Sequence, residues 1–149
     1  MKIGLINEYY PPFAPGGAEW SVQLLAQELA ARPEIERVVV ITPNYGAAAH
    51  EEEGKVVAER FPFPFKLHKQ RLHPYGLLAN PAFYAYSAWQ IRRLARKHKL
   101  DLLHVQNKQS VVGAVWAARW AKSSALANGN NNGGAICQIA MFQEGASAI

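Results

Sequence analysis

Lys2-Ile3-Gly4-Leu5-Ile6-Asn7-Glu8-Tyr9-Tyr10-Pro11-Pro12-Phe13-Ala14-Pro15-Gly16-Gly17-Ala18-Glu19 opens the chain with a short apolar run, a Pro/Gly-rich turn and the start of a longer apolar stretch. The run reads as a buried strand, the turn as a loop and the stretch beyond Gly17 as a helix. Strand, glycine loop and helix together make a phosphate cradle. Glycines let backbone N–H groups approach a ligand, and a helix start adds unpaired donors and the positive end of a dipole.

Outward from that stretch, Trp20, Leu24, Leu25, Ala26, Leu29 and Ala30 suit one helical face, and Pro33 closes the helix. The β-branched run Arg37-Val38-Val39-Val40-Ile41-Thr42 stops at Pro43 and predicts a second strand. Its apolarity is continuous rather than alternating, which implies burial on both faces and a parallel sheet between helix layers. Residues 47–54, with Glu51, Glu52 and Glu53, read as a solvated excursion, and residues 55–61 as a third, weaker strand. Asn80-Pro81 pairs an N-cap with proline at the first helical position, opening a helix to about His98. Asp101-Leu102-Leu103-His104-Val105 predicts a fourth strand and residues 110–121 a fourth helix, in which Trp116 and Trp120 read as core packing. The alternation predicts an α/β fold: a doubly wound, Rossmann-like parallel sheet with helices on both faces and ligands at the carboxyl ends of its strands.

The 149-residue chain is half apolar, enough for one domain with a real core. Its net charge of +5 suits an anionic substrate, an acidic membrane surface or nucleic acid. One cysteine, Cys137, excludes an internal disulfide, and the default compartment is the cytoplasm. No stretch approaches the ~20 apolar residues needed to span a bilayer, so membrane contact is expected only peripherally, at the inner face. The histidines show no metal-ligand spacing, and no metal is expected. The Asn/Gly-rich residues 128–134 are low-complexity, with residues 135–140 a candidate last strand; the expected division is 1–122 and an atypical tail, 123–149.

Pro11-Pro12…Gly16-Gly17-Ala18-Glu19 after a first strand, together with Asp101-Leu102-Leu103-His104-Val105-Gln106-Asn107 at the end of a fourth, resembles the N-terminal domain of the GT-B glycosyltransferases of family 4. These are "group 1" retaining hexosyltransferase-type enzymes, and the likeness covers residues 1–122. In the family, two Rossmann-like domains face each other across a cleft, and the N-terminal one holds mostly acceptor. The resemblance implies a nucleotide-sugar donor, with Gly16 and Gly17 at its phosphates, Glu19 in the turn beneath, and His104, Gln106 and Asn107 lining the cleft. No catalytic residue is assigned. The family's next strand, its His-Asp type motif and its donor-binding second domain have no counterpart in the tail. A truncation, a frame change, or a split enzyme completed by a partner chain would each leave this pattern, and the isolated chain is expected to be inactive.

Each feature has a plainer reading. Gly16 and Gly17 suit any strained strand-to-helix turn, and the loop carries neither G-x-G-x-x-G nor a Walker A sequence. Glu19 in a first turn complements the helix dipole, worth at most ~1 kcal/mol. His104 suits a strand-end histidine bonded to backbone. Between Arg60 and Lys99 the chain has nine Lys and Arg and no Asp or Glu. A solvated helix face and the helix dipole account for Arg96, Lys97 and Lys99. They account less well for Lys66, Lys69 and Arg71, which alternate with Phe61, Phe63, Phe65 and Tyr75 and would grip an anionic or lipid-linked acceptor or an acidic membrane. The competing function is a noncatalytic anion-, membrane- or nucleic-acid-binding module; the lack of a recognised nucleic-acid motif counts against the last.

Overall fold

The computed structural model describes residues 1–14, 17–62, 81–106 and Val115. Within them the chain runs β1 (Lys2–Ile6), α1 (Gly17–Ala31), β2 (Arg37–Asn44), β3 (His50–Glu53), β4 (Val56–Pro62), α2 (Pro81–His98) and β5 (Leu102–Val105). The sheet order is β3-β4-β2-β1-β5. β4, β2, β1 and β5 are mutually parallel, and β3 is antiparallel to β4. With β3 set aside, the first strand lies beside the second and fourth parallel strands, and the third lies outside the second. This is the Rossmann order, and the direction of winding reverses between β1 and β5.

Two apolar layers hold the sheet. Val38 and Val40 join Ile3, Leu5, Val22 and Ala26 beneath α1, whereas Val39 and Ile41 join Ile6, Val57, Ala88, Ile91 and Leu94 beneath α2. Consecutive β2 side chains therefore point to opposite layers, as the two-residue strand repeat requires. Full burial of each such side chain stabilises the fold by about 1.5–3 kcal/mol. Gly4 is glycine for packing, since an added Cβ would stand 2.7 Å from both Leu100 and Leu103.

Residues 50–53 depart from their reading as a mere excursion. They form an edge strand whose four residues are all exposed, and their charge blunts an otherwise open sheet edge. On α1 the buried positions are Val22 and Ala26, whereas Trp20 and Leu24 are exposed, so the core-facing stripe excludes two of the six residues expected to form it. Apart from Val115, which is helical, the expected fourth helix lies outside the described residues, as do the Trp116 and Trp120 pair, the Asn/Gly run and the last strand.

Helix α2 ends in a Schellman arrangement. Leu100 N–H donates to Ala95 O at 3.0 Å and Lys99 N–H to Arg96 O at 3.2 Å, with Lys99 in the left-handed region at φ 52°. A buried carboxylate also anchors this end. Glu59 Oε1 of β4 accepts from Lys97 Nζ at 2.7 Å, His98 Nε2 at 2.7 Å and His50 Nδ1 at 3.0 Å. Burial raises the Glu59 pKa, but hydrogen bonds from Lys97, His98 and His50 outweigh it and hold the carboxyl below the ordinary glutamate value.

Two predictions follow from these contacts. A lowered folded-state pKa gives stability that is full above the ordinary carboxylate range and is lost as pH falls through the folded value. Glu59→Gln is therefore expected to flatten the acid limb of a stability-against-pH curve below about pH 4.3, measured by urea unfolding. Gly4→Val is expected to cost about 1–3 kcal/mol through overpacking of Leu100 and Leu103, read as a lower urea midpoint.

Candidate functional site

The carboxyl ends of the parallel strands form one edge, and the loops that leave it are tied down by polar side chains from neighbouring strands. Asn7 ends β1. Its backbone N–H donates to Ile41 O at 3.3 Å, and its nearly buried side-chain amide donates to Tyr9 O at 2.8 Å. The hydroxyl of Thr42 donates to Glu8 O at 3.1 Å. Beyond β2, the Asn44 carboxamide oxygen accepts from Gly46 and Ala47 N–H at 2.7 and 3.0 Å, an Asx turn that folds the loop back.

Aromatic rings fill the space between these two loops. Tyr9 and Tyr45 stack with centroids 5.0 Å apart, and Phe13 meets Tyr45 at 6.2 Å. Burial raises the Tyr45 pKa strongly, aided by Tyr9 and Glu8. Burial also raises that of Tyr10, against the opposing pull of Arg60. Both phenols stay neutral at physiological pH.

Arg60 is the tie that spans this edge. By sequence it belongs to the basic run, yet its side chain is 2% exposed. Its guanidinium donates to Pro11 O at 2.6 Å, Ala48 O at 2.9 Å and Glu51 Oε2 at 2.7 Å, and lies 5.9 Å from the Tyr10 ring centroid. One buried cation thus holds the loop after β1 against β4 and the segment before β3. Its partners are distant in sequence, and no local pattern reveals them.

Gly17 is the first residue of α1. Its φ is not in the left-handed region, and a Cβ added there would meet nothing within 4 Å. Relief of strain therefore does not explain the glycine, and what its bare backbone leaves is open room at the helix start. Glu19 lies in the first turn of α1; its side chain is outside the described part. His104, on β5, pairs in register with Leu5 of β1, and its Nε2 lies 2.9 Å from Gln106 Oε1. Gln106 N–H continues the ladder to Ile6 O at 3.1 Å. The structure thus brings His104 and Gln106 together beside the end of β1. Gly16, Lys66, Lys69, Arg71 and Asn107 lie outside the described residues. Among the described residues, no group of three or more His, Cys, Asp or Glu is placed to hold a metal ion, and no helix is long and apolar enough to cross a membrane.

A Rossmann-like α/β domain whose winding reverses between β1 and β5 presents its ligand crevice at the ends of those two strands. The loop from Asn7 leaves the end of β1, and the His104–Gln106 pair stands at the end of β5. The chain belongs to Glycosyltransferase Family 4, whose profile matches residues 15–126. Comparison with curated proteins returned no match.

Removing the Arg60 tie is expected to loosen the loop more than the sheet. Arg60→Leu leaves Pro11 O and Ala48 O without their charged donor, at an expected cost of about 1.5–3 kcal/mol. Hydrogen–deuterium exchange of the amides in residues 8–14 is expected to accelerate, with β1 and β2 protection falling only by the global amount. Glu51→Gln, which alters a carboxylate that is largely in water, is expected to cost less than about 1 kcal/mol.

Proposed function

We propose that this chain is the acceptor-side domain of an enzyme that transfers a sugar from a nucleotide-sugar to an acceptor with retention. The carrying observation is the reversal of winding between β1 and β5, with residues 7–14 leaving β1 on one side and His104 and Gln106 on the other. Family membership supports glycosyl transfer as the chemistry.

In this reading the donor diphosphate lies against the Gly16-Gly17 backbone, where the N-terminal amides of α1 supply donors and a favourable dipole. The open space around the Gly17 Cα is what close approach of an anion requires. The acceptor lies along the same edge, against His104, Gln106 and Asn107, and the basic residues Lys66, Lys69 and Arg71 complement an anionic or lipid-linked acceptor. Neither stabilisation of the oxocarbenium-like sugar nor departure of the nucleoside diphosphate is complete on one such face. This reading assigns the donor to a second domain, and the acceptor-side domain taken by itself is expected to bind nucleotide only weakly.

Calorimetric titration of the full chain with UDP and GDP tests this. One of the two is expected to bind weakly, and Gly17→Ala is expected to reduce that affinity at least several-fold. The same variant is expected to keep or gain stability, by up to about 1 kcal/mol, because alanine is the better helix former. Absence of binding by either nucleotide, or unchanged binding by Gly17→Ala, would overturn the placement of the diphosphate. Sugar transfer by residues 1–149 alone would overturn the assignment of the donor to a second domain.

A further inference from the structure

We propose that the outward face of α2 is a docking surface for an anionic lipid bilayer. Tyr84, Ser87, Ala88, Ile91 and Leu94 are buried, which fixes the helix face that meets the sheet. Trp89, Arg93 and Arg96 follow at the four- and three-residue spacings of a helix and lie on the opposite side, all exposed. Trp89 is 50% exposed, with the Arg93 guanidinium 6.0 Å from its ring centroid. Lys97, in the last turn, is already paired with Glu59 Oε1, and Lys99 carries exposed positive charge just past the helix end.

A helix face that is merely solvated mixes both signs of charge and gains from acid–base pairs one turn apart. Helix α2 contains no Asp or Glu, so its exposed cations have no acidic neighbour on their own helix. The Schellman turn and the dipole account for positive charge in the last turn, since the dipole's effect fades beyond that turn. They do not account for Arg93, nor for a large aromatic ring centred on the polar face. Cations flanking an exposed tryptophan are the combination that suits a bilayer interface, where the indole sits at headgroup level and the cations meet anionic lipid. A nucleic-acid duplex would use the cations and leave the indole without a role.

This surface does not depend on the glycosyl-transfer reading, and nucleotide affinity of the variants below reports on that reading separately. The full chain is to be cosedimented with sucrose-loaded vesicles of phosphatidylcholine, alone or mixed with phosphatidylglycerol. Binding is expected to the mixed vesicles only and to fall as salt rises. Each cation near an anionic leaflet is worth a factor of about five in partitioning, so Arg93→Gln with Arg96→Gln is expected to weaken binding about twenty-five-fold. Arg93→Lys with Arg96→Lys is expected to retain binding, which separates loss of charge from loss of fold. Trp89→Ala is expected to weaken binding to the mixed vesicles at every salt concentration. Equal partitioning onto both vesicle types, unchanged partitioning of the glutamine pair, or capture of a DNA duplex without vesicle binding would each overturn the proposal.

Discussion

Burial of β2 on both faces is the constraint from which the rest of the structure follows. A strand whose Val38 and Val40 must be covered on one side, and Val39 and Ile41 on the other, cannot sit at the surface of an open sheet. It needs parallel neighbours, supplied by β1 and β4, and a helix layer on each side. Parallel strands require crossovers, and crossovers place every strand end on the same edge. Once β1 is flanked by β2 and β5, the reversal of winding falls between β1 and β5, and the crevice is located without reference to any side chain in it.

That skeleton was legible in the sequence because it depends on continuous apolar runs, which are local. Helix α2 was legible from Asn80-Pro81 and its periodic apolar positions, and its observed end at His98 matches the expected one. Other features were not legible, for identifiable reasons. Helix α1 is apolar on more than one side, so Trp20 and Leu24 are as compatible with a buried stripe as Val22, Leu25 and Ala26. Only the position of the sheet decides between them. Residues 50–53 are too polar to announce a strand, and they become one because β4 offers a free edge. The position of His104 and Gln106 at a strand end was expected from the strand pattern, while their place in a cleft came from the family resemblance alone. The aromatic packing of Tyr9, Phe13 and Tyr45 was not legible, because these rings come from two separate loops.

Two glycines show how similar residues in one motif answer different demands. Gly4 lies in β1, where Leu100 and Leu103 leave no room for a Cβ, and its absence of side chain belongs to packing. Gly17 stands at the start of α1 with open space around it, and packing gives no reason for it. From sequence, Gly4 sits inside an apolar run and Gly17 beside a turn, and neither position says which demand made it glycine. The structure separates them by asking what a methyl group would meet.

Strand β4 carries the two adjacent charges that sequence patterns discourage in a buried strand, and their placement explains why both are tolerated. Glu59 and Arg60 point to opposite faces, as neighbours on a strand must. Arg60 reaches the loop after β1, and Glu59 reaches the end of α2. Each buried charge is hydrogen-bonded by groups far away in the chain, which is the condition for burying it without a large desolvation penalty. One strand thereby fixes the loop at the crevice on one face and the orientation of the basic helix on the other. The two ties share no partner, but they leave adjacent residues of β4 and both reach β3, at His50 and Glu51, so the loop and the helix are anchored through one strand and their energies are coupled.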